Sequence, residues 1–461
     1  MTRFFGRSMV FALFLSAIAF GQSTPVAFLS QLYPDAIMPG HAQFQLTVGG
    51  SGFQSGAVVN WNGTPLVTTF TSVDRLEATV SAADVSSAGT ATITVTNPGS
   101  IASNVAYFPV HRKSTSVAFI RYDIKLDAGY GGIAVADFNG DGKPDVAVTL
   151  PNLSGNASIA VYLNGGHRSF TGPVVTTLSC IGDSAVVGDF NGDGKLDVLT
   201  TNNFGSGCVL LGNGDGSFSQ GPAVSLPDEN YVAVGDFNRD GKLDLFLAGG
   251  SDGGYSAQVL LGNGDGSFST GQSLGDIDNP QPPVVGDFNR DGKLDVAMAD
   301  SVTASVWVYL GSGNGKFAAP VKYDTPNPAV AVTAVDLNGN GKLDLVTDGV
   351  TILQGNGDGT FVVGSSYTAP GGGVYLNPDA GDFNSDGRPD ILLVQDSGHE
   401  GLALLLGNGD GTLQSPLTWP AGSYSYPAAI GSADFNGDGL LDAVVSNSGE
   451  TISVFLQTTQ D

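Results

Sequence analysis

Residues 137–145 read Asp137-Phe138-Asn139-Gly140-Asp141-Gly142-Lys143-Pro144-Asp145, and the pattern decides the fold because it returns six more times. The later copies begin at Asp189, Asp236, Asp287, Asp336, Asp382 and Asp434, with steps of 52, 47, 51, 49, 46 and 52 residues. Position 1 is Asp in every copy, position 3 Asn, position 6 Gly and position 9 Asp; position 5 is Asp in six copies and Asn340 in the fifth. Repeats of this length with several short strands each indicate propeller blades rather than stacked helices. Gly or Pro interrupts every window in which a helix might run.

Outward from the acidic stretch, each repeat reads alike. A strand such as Ala185-Val186-Val187-Gly188 leads in, and a second such as Asp244-Leu245-Phe246-Leu247-Ala248 leads out. A third, such as Val259 to Gly262, ends in the turn Asn263-Gly264-Asp265-Gly266, and a more polar fourth follows. Inner strands that are apolar on successive residues are expected to bury both faces between neighbouring sheets. Seven acidic stretches accompany only six such turns, and the last repeat stops at its third strand, Thr451 to Leu456. Phe119-Ile120-Arg121-Tyr122-Asp123, ahead of the first repeat, reads as a fourth strand. Residues about 118–126 are therefore expected to complete blade seven and so cover an otherwise open edge.

The acidic stretches carry the chemistry. Calcium takes six to eight oxygens at about 2.3–2.6 Å, and oxygens on alternate residues of a tightly curled loop can converge on one ion. Gly at position 6 tolerates the sharp turn, and position 7 needs only its main-chain carbonyl. The expected ligands in the first loop are Asp137, Asn139, Asp141, Lys143 (carbonyl) and Asp145. They are Asp189, Asn191, Asp193, Lys195 and Asp197 in the second, and Asp236, Asn238, Asp240, Lys242 and Asp244 in the third. Asp287, Asn289, Asp291, Lys293 and Asp295 form the fourth set, and Asp336, Asn338, Asn340, Lys342 and Asp344 the fifth. Asp382, Asn384, Asp386, Arg388 and Asp390 form the sixth, and Asp434, Asn436, Asp438, Leu440 and Asp442 the seventh. Up to seven Ca²⁺ ions are expected, bound weakest at the Asp336 loop, where Asn340 removes a charge. A bare hairpin explains one acid and a glycine per loop, but not three acids and an Asn at fixed offsets. The turns holding Asp215, Asp265, Asp358 and Asp410 lose the acid in two sister copies (164–168 and 312–316) and read as plain hairpins.

These Asp-x-Asn-x-Asp-Gly-x-x-Asp repeats resemble the FG-GAP/VCBS family, whose repeats build the seven-bladed integrin α-subunit propeller. The resemblance covers residues 117–461 and implies calcium ligands at positions 1, 3, 5, 7 and 9. The Phe-Gly-Gly-Ala-Pro stretch of that family is not recognisable, so integrin-type partner recognition does not carry over.

Upstream, Arg3 and Arg7 precede an apolar run from Met9 to Phe20, with small residues before Gln22. This reads as an export signal over 1–21, too short to span a bilayer. Residues 25–110 alternate apolar and polar (Phe44, Leu46, Val48; Val59, Trp61; Leu76, Ala78, Val80; Ile93, Val95), with Asn62-Gly63 as a hairpin turn. Such strands predict a small sandwich. Pro39-Gly40, Gly50-Ser51-Gly52-Phe53, Trp61-Asn62-Gly63 and Asn97-Pro98-Gly99 resemble the immunoglobulin-like IPT/TIG domains. Residues 111–116 are a linker. The expected fold is thus all-β: a seven-bladed β-propeller preceded by an immunoglobulin-like β-sandwich.

The net charge of −26 comes from 44 acidic against 18 basic residues, and 20 of the acids sit at loop positions 1, 5 and 9. Nucleic acid and anionic membranes are poor partners for such a surface. His41, His111, His167 and His399 are scattered, and no Gly-x-Ser-x-Gly elbow appears, so no catalytic residue is expected. Cys180 and Cys208 fall in one repeat, and their pairing stays open. The expectation is a monomeric, secreted or periplasmic scaffold that binds an unidentified protein or glycan at a cell surface. A calcium-dependent carbohydrate-binding module or a polysaccharide-acting enzyme is the alternative. Its candidate aromatics are Tyr255, Tyr367, Trp419, Tyr424 and Tyr426.

Overall fold

The computed structural model describes residues 26–34, 36–111, 114, 117–126, 131–150, 157–166, 169–178, 184–201, 205–226, 231–251, 254–277, 279–367, 374–396, 401–420, 427–447 and 451–458. The export segment expected at 1–21 lies outside them, as do Cys180, His167, His399, Tyr424 and Tyr426. The described elements are strands, in nine four-stranded sheets.

Two of the sheets lie before residue 111. One takes Phe28–Tyr33, Phe44–Ser51, Arg75–Val80 and Val67–Ser72 in spatial order, the other Thr64–Pro65, Val58–Trp61, Gly89–Thr96 and Ala106–Val110. The two share one core: Leu46, Val48, Leu76, Ala78 and Val80 from the first meet Val59, Trp61, Ile93, Val95 and Phe108 from the second. Alternation puts these residues on inward faces, and each large side chain so buried contributes about 1.5–3 kcal/mol. Asn62 and Gly63 both have positive φ, 49° and 76°, as a two-residue hairpin requires.

The other seven sheets follow one another along the chain. The first runs Ile133–Ala136, Asp145–Leu150, Ala157–Gly166, Ser169–Leu178 in simple antiparallel order, and the next five repeat that plan. In the last, Pro427–Ala433, Asp442–Asn447 and Thr451–Thr458 are joined by Ala118–Lys125, in register from Thr451 opposite Lys125 to Thr458 opposite Ala118. Burial on both faces belongs to the second and third strands. Asp145–Leu150 and Gly401–Leu405 are buried throughout, whereas Ile133–Ala136 and Ser184–Gly188 are mostly half-buried. The half-buried first strands pack against one another: each meets the first strand of the next sheet, and Pro427–Ala433 meets Ile133–Ala136.

Candidate functional site

Each acidic loop joins the first strand of a sheet to the second, and its side-chain oxygens shape its own backbone. In the first loop Asp137 Oδ1 accepts the N–H groups of Gly140 (2.8 Å) and Asp141 (3.1 Å), and Oδ2 accepts that of Gly142 (2.8 Å). Asn139 Oδ1 accepts from Asp141 N–H, and Asp141 Oδ1 from Lys143 N–H. The position-4 bond recurs at Asp189 and Asp434, and the rest of the set recurs around Asp189, Asp236, Asp287, Asp336 and Asp434. Around Asp382 it recurs for positions 1 and 3. Asp and Asn suit such bonds because their short side chains reach the amide two residues on. The result is a tight curl through positions 1 to 7.

The curl needs left-handed backbone twice. Position 6 has φ from 76° (Gly292, Gly341) to 88° (Gly439). Position 4 is left-handed as well: Gly140 at 74°, but also Arg239 at 63°, Arg290 at 60° and Ser385 at 55°. The sequence disguised this second requirement, since only some copies put Gly there.

Position 9 has a role that its spacing did not reveal. Asp145 is fully buried and spans two strands: Oδ2 accepts Phe138 N–H (3.0 Å) and Oδ1 accepts Asn164 N–H (2.8 Å) at the end of the third strand. Its counterparts do likewise: Asp197 holds Gly212, Asp244 holds Gly262, Asp295 holds Gly311, Asp344 holds Gly355, Asp390 holds Gly407 and Asp442 holds Gln457. Each loop is thereby pinned to its own sheet. The carbonyl at position 2 pins it to the next one: Phe138 accepts from Gly216, Phe190 from Gly266, Phe237 from Gly315 and Phe288 from Gly359. Side-chain amides take that place in the sixth and seventh loops, Gln457 Nε2 donating to Phe383 and Asn164 Nδ2 to Phe435.

Burial dominates the electrostatics. It pushes Asp145 up to about 6, Asp197, Asp244 and Asp295 to about 7, and Asp390 and Asp442 to about 8, opposed by the backbone donors and aided by the acids at positions 1 and 5. Asp236 at position 1 is pushed to about 6, and Asp137, Asp189 and Asp287 are raised. At position 5, Asp141 and Asp291 are paired with the position-7 lysines of their own loops, Lys143 Nζ at 3.0 Å and Lys293 Nζ at 2.8 Å. Among the described residues no three His, Cys, Asp or Glu side chains stand close enough to hold an ion unaided.

The Gly-Asn-Gly-Asp-Gly turns behave differently. Asp215, Asp265, Asp358 and Asp410 lie exposed, each accepting the hydroxyl and N–H of Ser217, Ser267, Thr360 or Thr412, which lowers its pKa. The phenylalanines beyond the turns pack on the position-2 ring of the preceding loop, as in Phe138–Phe218, Phe190–Phe268 and Phe288–Phe361 at 5.7–5.9 Å. Two candidate sugar-stacking aromatics are engaged in packing: the Tyr367 hydroxyl accepts Leu413 N–H, and Trp419 stands edge-on to Phe119. Cys208 is disulfide-bonded; Cys180 is the chain's only other cysteine.

The FG-GAP-like repeat model matches residues 137–200, 189–247, 236–298, 287–347, 347–393 and 382–445. The chain belongs to the FG-GAP-like repeat family. Five of the six FG-GAP-like matches open on a position-1 aspartate. The fifth loop, with Asn340, opens none of its own. No curated protein matches the sequence. Among solved structures, BBS1N in complex with ARL6DN is similar at TM-score 0.50 and 9% identity, over 76% of this chain and 99% of that one. An auxiliary nutrient binding protein from Bacteroides ovatus ATCC 8483 is 10% identical over 94% of this chain and 98% of its own, at TM-score 0.37. One from Bacteroides thetaiotaomicron VPI-5482 is 11% identical with the same coverage, at 0.39. The first likeness is one of fold alone, and the other two carry no inference. No helix of the described residues is long and apolar enough to cross a membrane.

Proposed function

We propose that this FG-GAP-like protein is an exported calcium-binding scaffold: a closed seven-bladed propeller over 117–461, behind an IPT/TIG-like domain over 25–110. Its role is adhesion or protein interaction, and no catalytic residue is assigned. The contacts between successive first strands, including that of Pro427–Ala433 with Ile133–Ala136, support ring closure. The observation that carries the calcium reading is the repeated loop: carboxylates at positions 1 and 5 and an amide oxygen at position 3, all oriented by bonds from the loop's own amides, beside a buried acid at position 9. This is a hard-oxygen donor set suited to Ca²⁺. Because the acids alone are too few and too spread, the Asn oxygen and the position-7 carbonyl complete the shell. Bound calcium supplies the missing positive charge. The chain's part is to hold the first strand, the second and the neighbouring sheet to one loop.

Calorimetric melting of the chain in calcium and in EGTA tests this. At 100-fold saturation one site adds about 2.7 kcal/mol, so several together shift the melting temperature by on the order of 10 °C. An unchanged melt, with no metal found by elemental analysis, removes calcium from the reading. A glycan array and a cell-surface pull-down, each run with and without calcium, then separate sugar from protein as the partner.

A further inference from the structure

The N-terminal two-sheet unit rests on the face that carries the acidic loops, but not on all of them. Thr90 Oγ1 donates to Asp434 Oδ2 of the seventh loop. A Cβ built on Gly439 would lie 3.2 Å from the Gly89 backbone, and one on Gly142 would lie 3.7 Å from Thr92. Over the second loop, a Cβ on Gly194 would overlap Ile101. At the third, Arg239 pairs with Asp74 at 3.2 Å. At Gly292 and Gly341, in the fourth and fifth loops, an added Cβ would meet nothing within 4 Å.

Tyr107 is the most telling of these neighbours. It stands opposite Thr92 in the sheet, the residue that Gly142 approaches, and burial, then the charges of Asp137, Asp145 and Asp141, push its phenol well above the ordinary value. Its hydroxyl is buried and has no hydrogen-bond partner among the described residues. A buried O–H with nothing to donate to costs about 1–3 kcal/mol. At the seventh loop, His111 lies near Asp438. The unit thus covers carboxylates mainly with hydroxyls, glycine backbone and Ile101. Apart from His111, these contacts bring no positive side chain over the first and seventh loops, and within the first loop Lys143 pairs with Asp141 alone at 3.0 Å. Withdrawing water from uncompensated carboxylates is unfavourable, and a cation within the loop reverses that balance.

We propose that seating of the N-terminal unit and cation binding at the first and seventh loops are one coupled equilibrium, with the Tyr107 and Thr90 hydroxyls as the groups that sense the filled loops. This rests on the calcium reading above. Coupling is reciprocal: the seated unit raises the affinity of those two loops by the factor by which calcium favours seating. The fourth and fifth loops, which the unit leaves open, stand outside it.

The test uses the full chain, its Tyr107→Phe and Thr90→Val variants and, as control, Asp291→Asn in the uncovered fourth loop. Calcium titration by calorimetry counts sites and affinities, and small-angle X-ray scattering in calcium and in EGTA reads whether the unit is seated. Expected is a larger radius of gyration in EGTA. Thr90→Val should lose roughly 5-fold or more in affinity at one site and need more calcium to compact, whereas Tyr107→Phe, which removes the unsatisfied hydroxyl, should need less. Asp291→Asn should weaken one site and compact as the parent does. Calcium binding with identical scattering in EGTA overturns the coupling and leaves the calcium reading standing. So does equal calcium dependence of compaction in all four proteins. No calcium binding overturns both.

Discussion

The tetrapeptide Asn-Gly-Asp-Gly occurs in two settings, at 139–142 within an acidic loop and at 213–216 within a hairpin turn. Locally the two agree. Both glycine pairs are left-handed, at 74° and 81° against 79° and 85°, and each Asp accepts the N–H two residues on at 3.0 Å. They part at the flanks. Around 139–142 stand Asp137 and Asp145, which curl the loop and bury a carboxylate raised to about 6. Around 213–216 stand Gly212 and Ser217, and Asp215 stays exposed and satisfied, its pKa lowered by the Ser217 hydroxyl. Short-range sequence fixes the bend, and the flanking acids decide whether it leaves a charge still needing a counter-ion.

The sharpest way to break this contrast is a matched pair of substitutions. Asp295→Ala orphans the Phe288 and Gly311 amides and should cost about 2–5 kcal/mol, whereas Asp265→Ala at an exposed turn should cost under about 0.5 kcal/mol. Equal losses in urea melts would end the distinction. Next in size is pH dependence in EGTA. The position-9 acids hold protons more tightly folded than unfolded, so their stabilisation is fully present below about pH 4. It is lost as pH rises through about 6–8. Melting temperature in chelator should fall over that window, and the lowered turn acids act with the opposite sign only in acid. A flat profile would mean the loops are already compensated.

A smaller effect is expected at the fifth loop. Asn340→Asp restores its missing charge and should strengthen one calcium site roughly 10-fold by calorimetry, about 1.4 kcal/mol. No change would mean that position 5 acts through its turn alone. Smallest is Arg290→Gly: relieving φ 60° at position 4 should add about 1 kcal/mol in thermal melts. A loss instead would show that the Arg290 stem, which lies beside Gly357, matters more than the backbone.

The all-β class and the repeat were legible because Asp, Asn and Gly at fixed offsets leave little conformational choice. Leu46, Val48, Ile93 and Val95 announced an inward face by alternation alone. Other features were hidden for physical reasons. The second bond of each position-9 acid goes to a partner 11 to 19 residues on, with no constant residue type: Asn164, Gly212, Gln457. The first strands read as buried because they are apolar, yet they are only half-covered. The resting of the N-terminal unit on the loops rests on pairs such as Thr90 and Asp434, 344 residues apart, which no local pattern encodes.

The pairing of Ala118–Lys125 with Thr451–Thr458 also sets a timetable. Arg121 leaves the ribosome 332 residues before Ser453, the residue its guanidinium reaches. At roughly 5–20 residues per second, that is a wait of about 15–65 s. Through that interval the early strand lacks the partner it pairs with, while the six sheets between are made. Completion of that sheet therefore waits on its most distant strand, and whatever guards the early strand matters throughout the wait.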